Sequence, residues 1–296
     1  MGLDEAARWF PERCIDVGIA EQNLIAVAAG LAAGGRTVFA ATYATFASLR
    51  ALEQIRSFVA LPGLRVIVAA GLGGLSGGIE GVCHLAVEDV GILRCVPNLV
   101  ILNPADAVAA KRATLAAAEH DGPVYLRLGR DDTPILFDDG YPFTIGKAVV
   151  LEERGFDAVL LTSGLVTAEV LDAAAVLRRR GIGSTVIEFP TLKPLDRDAV
   201  RSAAARPGPI FTVEEHSVVG GLGSAVIEVL GEDAPARVVR LGLPDRFLES
   251  GTPSELRAKY GLTAAAIAAR VAEACPSVRP PRCAGGEGRR RHVAQS

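Results

Sequence analysis

Short β-branched runs alternate with longer Ala- and Leu-rich segments through nearly the whole chain, and this rhythm limits the possible folds more than any other feature. The strand-like runs are CIDVG (14–18), TVFAAT (37–42), RVIVAAG (65–71), LVILNP (99–104) and VYLRLG (124–129), then AVLLTS (158–163), STVIEF (184–189), PIFTVEE (209–215) and RVVRLG (237–242). Apolar runs without alternation suit strands covered on both faces of a parallel sheet. Helical patterns fill the gaps at 21–34, 44–61, 106–120, 165–181, 222–231 and 263–274, with Asp106 and Thr263 as expected N-caps and Gly181 as a stop. Strand–helix repetition means βαβ units, hence an α/β fold with mostly parallel sheets between helical layers. The stretch DDTPILFDDGYPFTIG (131–146) interrupts the rhythm with prolines, glycines and acids, and reads as a linker between units at 1–130 and 147–275. Residues 276–296 turn to Pro, Arg and Gly and are expected to be a disordered tail.

Composition narrows the function. A chain of 296 residues, half of them hydrophobic, can build two cores. A net charge of −3 supplies no electrostatic reason to expect nucleic acid or an anionic membrane as partner, and the cluster Arg289–Arg290–Arg291 reads as solvated. Five cysteines without a CxxC pair argue against a zinc site or a disulfide framework and for a reducing compartment. The N-terminus carries charge where an export signal needs an apolar core, and no apolar run nears the roughly 18 residues of a membrane span. The expectation is a cytoplasmic protein.

Two glycine loops invite a nucleotide reading, but GLGGLSGG (71–78) and GGLGSA (220–225) both miss GxGxxG, and no GK[ST] is present. Such loops commonly carry glycine for steric reasons alone, beyond the carboxyl ends of strands where ligands approach. Of four histidines none forms a metal-ligand pair on a helix, so no metal site is expected, and His84, just past the first loop, is the one placed for chemistry. Glu21 opens a helix whose dipole favours an acid there. The helix is so apolar after Asn23 that it must be buried, and a buried carboxyl can share a proton with a nitrogen base.

The segments CIDVGIAEQN, TVFAATYATFASLRALEQIR and VEDVGILRCVPNLVILNPAD resemble the pyrimidine-binding domain of transketolases. VIEFPTLKPLD (186–196), EEHSVVGGLGSAVIEVL (214–230) and DRFLESGTPSELRAKYGLTAAAI (245–267) resemble the transketolase C-terminal domain. The resemblance, over about residues 11–275, implies two three-layer α/β/α domains and a two-carbon ketol transfer that depends on thiamine diphosphate. It casts Glu21 as the catalytic glutamate that hydrogen-bonds the ring nitrogen of the cofactor's aminopyrimidine. Phe46 matches the aromatic that stacks on that ring, and Tyr43, at i, i+3 spacing, another wall of the pocket. Arg130 matches an arginine that contacts sugar phosphate, a charge-assisted bond suited to a dianion. His84 aligns with a catalytic or substrate-contacting family position, and Glu80 with the acid that reads a substrate hydroxyl.

Departures from the family pattern are equally specific. Glu80 stands for a shorter Asp, Val82 for a proline, and Leu72 for a histidine that helps hold phosphate, which opens the site to a different or unphosphorylated sugar. Only thirteen residues precede Cys14, where the family pattern has a strand and helix ahead of GIAEQN; either the start is misassigned, a partner chain fills the gap, or the domain is degraded. No GDG motif, the family's metal- and diphosphate-binding signature, occurs in the chain. The resemblance therefore implies the second subunit of a split transketolase. Its partner, an N-terminal subunit with the GDG domain, would hold the diphosphate through Mg2+ or Ca2+, in an α2β2 heterotetramer acting on sugars. A deoxyxylulose-phosphate-synthase-like activity is the near alternative, ranked lower because that family has an arginine where this chain has Leu49. A non-catalytic, regulatory subunit is the alternative from another class.

Overall fold

The computed structural model describes residues 2–130 and 132–275; the tail expected to be disordered lies outside them. Among the described residues, ten strands form two five-stranded sheets. The first contains β1 (Val38–Tyr43), β2 (Val66–Gly71), β3 (Val100–Leu102) and β4 (Val124–Arg127), completed by β8 (Thr191–Lys193) in the order β1-β2-β4-β3-β8. The second runs β10-β9-β6-β7-β5, from β5 (Val149–Glu153), β6 (Ala158–Thr162), β7 (Ser184–Glu188), β9 (Ile210–Ser217) and β10 (Val238–Leu243). All pairings are parallel except β3 with β8 and β5 with β7, so the mostly parallel α/β class holds. Every β4 and β6 residue is buried, as strands covered on both faces require.

Crossing helices supply that cover. Before and between the strands of the first sheet lie α1 (Asp4–Trp9), α2 (Glu21–Ala33), α3 (Leu52–Gln54), α4 (Asp89–Arg94) and α5 (Ala107–Glu119). Beyond them come α6 (Thr167–Arg179), α7 (Arg197–Ala204), α8 (Leu222–Asp233), α9 (Pro253–Lys259) and α10 (Ala264–Ala274). The segment expected as one helix at 44–61 is wound more loosely, with π-helical turns at Phe46–Arg50 and Ile55–Ala60 on either side of α3. Such turns are rare and concentrate at functional sites.

Two local expectations are corrected. CIDVG forms no strand: residues 14–18 run as irregular chain with Ile15 exposed, and β1 has only β2 beside it. A strand-like sequence becomes a strand only where another edge accepts its backbone hydrogen bonds. Thr263 precedes α10 but its side chain makes no capping bond; Glu169 Oε2 accepts from Ala264 N at 2.7 Å instead. Asp106 does cap α5, accepting from Ala109 N at 2.7 Å.

The two sheets are sewn together. β8 leaves the second half of the chain to pair antiparallel with β3, with Leu102 opposite Thr191. One apolar cluster runs from Ile25 and Ile55 through Leu93 and Ile101 to Phe189 and Val226. The connecting segment is tied down as well. Asp106 Oδ2 accepts from Leu136 N at 2.8 Å and Phe137 N at 3.0 Å, and the Tyr141 hydroxyl donates to Glu188 Oε2 at 2.7 Å. Burial pushes the Glu188 carboxyl up to about 8, only partly offset by the Tyr141 bond, and its Oε1 has no protein partner.

An acid whose value rises on folding binds its proton more tightly in the native state, so stability falls as pH rises from the unfolded to the folded value. Thermal unfolding should therefore show a loss of stability between about pH 4.5 and about pH 8 that is shallower in Glu188→Gln. Parallel pH profiles for the two proteins would remove Glu188 as the cause.

Candidate functional site

The carboxyl ends of β1, β2 and β4 open on one side of the first sheet, where ligands of open α/β folds bind. Tyr43 ends β1, and Phe46 begins the π-turn that follows. The glycine loop leaves β2 at Gly71, winds through 3₁₀ turns at Leu75–Glu80 and Val82–His84, and returns His84 to the same place. The three rings meet: centroids lie 6.2 Å apart for Tyr43 and Phe46, 5.9 Å for Tyr43 and His84, and 5.2 Å for Phe46 and His84. All three are half-buried, forming an aromatic wall with an open side.

Glu21 begins α2 and is 5% exposed, although its neighbours Gln22 and Asn23 face solvent. The apolar helix behind it explains the burial, since Ile25, Ala28, Ala29 and Ala32 pack into the core and draw the first turn inward. Arg50, at the end of the π-turn, donates from Nη1 to Glu21 Oε2 at 2.6 Å. Its guanidinium carbon also lies 4.5 Å from the Phe46 ring centroid. Glu21 thus joins the aromatic wall through Arg50, a residue that sequence reasoning missed. The signal was a single charged side chain inside the otherwise uncharged run YATFASLRAL.

Glu80 and Arg130 form an ion pair with each other, Glu80 at the end of the first 3₁₀ turn and Arg130 beyond β4. Leu72 is buried at φ 60°, a costly conformation for a branched side chain, and offers no polar group. Of the six predicted residues, Glu21, Tyr43, Phe46 and His84 make one cluster, while Glu80 and Arg130 make a pair in the loops beside it.

A second group, unforeseen in the sequence, holds these loops. Arg127 at the end of β4 donates from Nε and Nη2 to Asp89 at 2.8 and 3.1 Å, both side chains being buried. Tyr125, two residues earlier on the same strand face, donates its hydroxyl to Asp89 Oδ2 at 2.8 Å. Arg127 Nη2 reaches also to the carbonyls of Ala86 and, in β9, Glu215 at 2.8 and 3.1 Å. Burial by itself would raise the Asp89 carboxyl, but the Arg127 guanidinium outweighs it and holds the group below its ordinary value. Glu215, held by Arg257 at 2.5 Å, accepts from Leu75 N at 3.3 Å and so anchors the glycine loop from the other sheet.

Close packing accounts for the loop glycines. A Cβ on Gly73 would lie 2.8 Å from Arg127 Cγ, and one on Gly77 2.4 Å from the His84 carbonyl oxygen. At GGLGSA the Glu214 carboxylate takes the first amides of α8, accepting from Leu222 N at 2.6 Å and Gly223 N at 2.8 Å. That helix end is filled from within. Burial raises Glu214 to about 7 against those two bonds. His216 is also structural. Burial holds it below its ordinary value, and Gly91 N donates to its Nε2 at 3.1 Å.

The cluster fits the aminopyrimidine half of thiamine diphosphate, because one buried acceptor and a stacking face address a flat, nitrogen-rich ring. Among the described residues no group of three or more His, Cys, Asp or Glu could hold a metal ion. No described helix is long and apolar enough to cross a membrane.

Residues 1–135 match the family model of the transketolase pyrimidine-binding domain and residues 146–267 that of the transketolase C-terminal domain. A transketolase C-terminal section of Methanocaldococcus jannaschii is 39% identical over 90% of the chain and 84% of its own length. A 6-deoxy-6-sulfo-D-fructose transketolase subunit of a Clostridium species is 42% identical over 87% of the chain and 80% of its own. A 1-deoxy-D-xylulose-5-phosphate synthase of Syntrophotalea carbinolica is also 42% identical, but the match spans only 43% of that protein. Among solved structures, a split-gene transketolase described as an inactive β4 tetramer superposes with a TM-score of 0.86 at 43% identity, covering 93% of this chain and 89% of the other.

Asp89→Ala should lower stability by about 3–5 kcal/mol in urea unfolding, because it strands the buried Arg127 charge. Asp89→Leu combined with Arg127→Met should recover most of that loss. A single-variant loss below about 1 kcal/mol, the scale of an exposed pair, would show that the Asp89–Arg127 contact does not hold the loops.

Proposed function

The chain belongs to the transketolase family, and we propose that it is the subunit supplying the pyrimidine side of a thiamine diphosphate site in a two-carbon ketol transferase. Its units at 1–130 and 147–275 would carry the site and its support. Glu21 carries the reading: a buried carboxyl at the start of an apolar helix, beside an aromatic face. The bound cofactor supplies the acidic carbon on which the two-carbon fragment is carried. Glu21 holds a proton toward the ring nitrogen of the aminopyrimidine, and Tyr43 and Phe46 orient the ring. His84 stands over both rings where a substrate hydroxyl can exchange a proton with it. Glu80 and Arg130 face the sugar; Arg130 pairs with Glu80 through Nη1, and its half-exposed guanidinium keeps further N–H donors for an anionic group.

The diphosphate and a Mg2+ or Ca2+ ion fall to a partner subunit with a GDG motif, which this sequence lacks. Support for a partner comes from the apolar rim. Ile15, Leu49, Ile79 and Phe247 are exposed, and Ile19, two residues before Glu21, is 93% exposed. A split-gene transketolase that superposes on this chain is described as inactive when it forms a β4 tetramer. An α2β2 assembly in the cytoplasm satisfies these requirements, with sugars as substrates. The relative named for a sulfosugar ketol transfer is compatible with the polar group lost at Leu72.

With the partner, thiamine diphosphate and magnesium present, Glu21→Ala should cut ketol transfer by about 10²–10⁴-fold, the scale of a lost proton-transfer group. Full activity in the variant would remove Glu21 from catalysis. Inactivity of both proteins, with the partner folded and bound, would favour a regulatory subunit.

A further inference from the structure

Arg50 lies where the proposed cofactor ring should bind, and it makes both of the contacts that the ring would need. Its guanidinium is flat, donates an N–H to the buried Glu21 carboxylate at 2.6 Å, and stacks over Phe46 at 4.5 Å. A planar group that offers an N–H to the carboxylate and a flat face to Phe46 is also the description of the aminopyrimidine once its ring nitrogen carries the proton it shares with Glu21. We propose that Arg50 is an internal stand-in for that ring: it compensates Glu21 while the site waits and must swing out before the cofactor can engage. This deepens the function proposed above and rests on it.

Two physical arguments require the displacement. The first is space, since the Phe46 face next to Glu21 accommodates one flat group and the guanidinium already covers it. The second is charge. A guanidinium keeps its protons at every relevant pH, so a Glu21 carboxylate paired with Arg50 has a partner that cannot share a proton back and forth. A ring nitrogen can do so.

The geometry also provides the exit. The Arg50 side chain is 48% exposed while that of Glu21 is 6% exposed, so the arginine can reach solvent by rotating its own stem. Its place at the last residue of the π-turn, one residue after the exposed Leu49, puts that motion at the apolar rim assigned to the partner. Without a stand-in, Glu21 would be a buried, uncompensated charge in the separate chain. Arg50 is therefore a positioning residue whose release is coupled to loading of the site.

The test is calorimetric titration of thiamine diphosphate, with magnesium, into the assembly of this chain and its partner, using wild type, Arg50→Met, Glu21→Gln and the double variant. Removing the competitor raises the fraction of open sites, so Arg50→Met should tighten binding by about three- to tenfold. The gain should shrink at raised ionic strength, which already weakens the pair in wild type. It should also vanish in the Glu21→Gln background, where there is no carboxylate to hold the guanidinium. Arg50→Gln, a smaller change at a half-exposed position, serves if the Met variant is unstable. Unchanged or weaker binding in both Arg50 variants would overturn the proposal, as would an equal gain with and without Glu21. If wild type takes up no cofactor at all, the pyrimidine-site reading fails, and the stand-in falls with it.

Discussion

The structure depends on the buried Asp89–Arg127 pair. Arg127 sits at the end of β4, the middle strand of the first sheet, and spends its donors on three elements: Asp89 at the start of α4, the Ala86 carbonyl before it, and the Glu215 carbonyl in the second sheet. A buried guanidinium must have all this company, because each unsatisfied donor would carry the full cost of desolvation. The requirement works in reverse as well. To satisfy Arg127 the chain has to bring the glycine loop, α4 and β9 to one point, and the candidate site is built on that junction.

Two kinds of charge therefore occupy the first sheet's carboxyl end, and their exposure separates their roles. Asp89 and Arg127 are closed off from solvent and engaged in fixed bonds, so they hold shape. Glu21, Glu80 and Arg130 are engaged with partners that solvent can reach. Glu21 is the exceptional member, being buried itself yet paired with a half-exposed arginine. That asymmetry distinguishes a contact that can open from one that cannot.

Much of this was legible in the residues. The apolar run after Asn23 implied that Glu21 is buried, and it is; Tyr43 and Phe46 do meet, but from the end of β1 and the π-turn that follows rather than across one turn of a helix. Other features were not legible. CIDVG has a strand's composition, but an unpaired edge cannot be read from composition. Thr263 has the residue type of a cap, yet Glu169, 95 positions away, reaches the first amide of α10 instead. Arg50 lay within a run read as one regular helix, and the π-turn that directs it toward Glu21 has no period to recognise.

The sequence by itself determined the α/β class and the buried acid at the start of a helix. Those follow from local periodicity and spacing, which a chain carries wherever it folds. Only the tertiary structure decided what each charge faces: Arg127 toward Asp89, Glu215 toward the glycine loop, Glu214 into the end of α8, and Arg50 across Glu21. The physical reason is that a charge has no periodicity. Its partner is set by which elements must share a buried volume, and here the partners lie between 8 and 140 residues away along the chain.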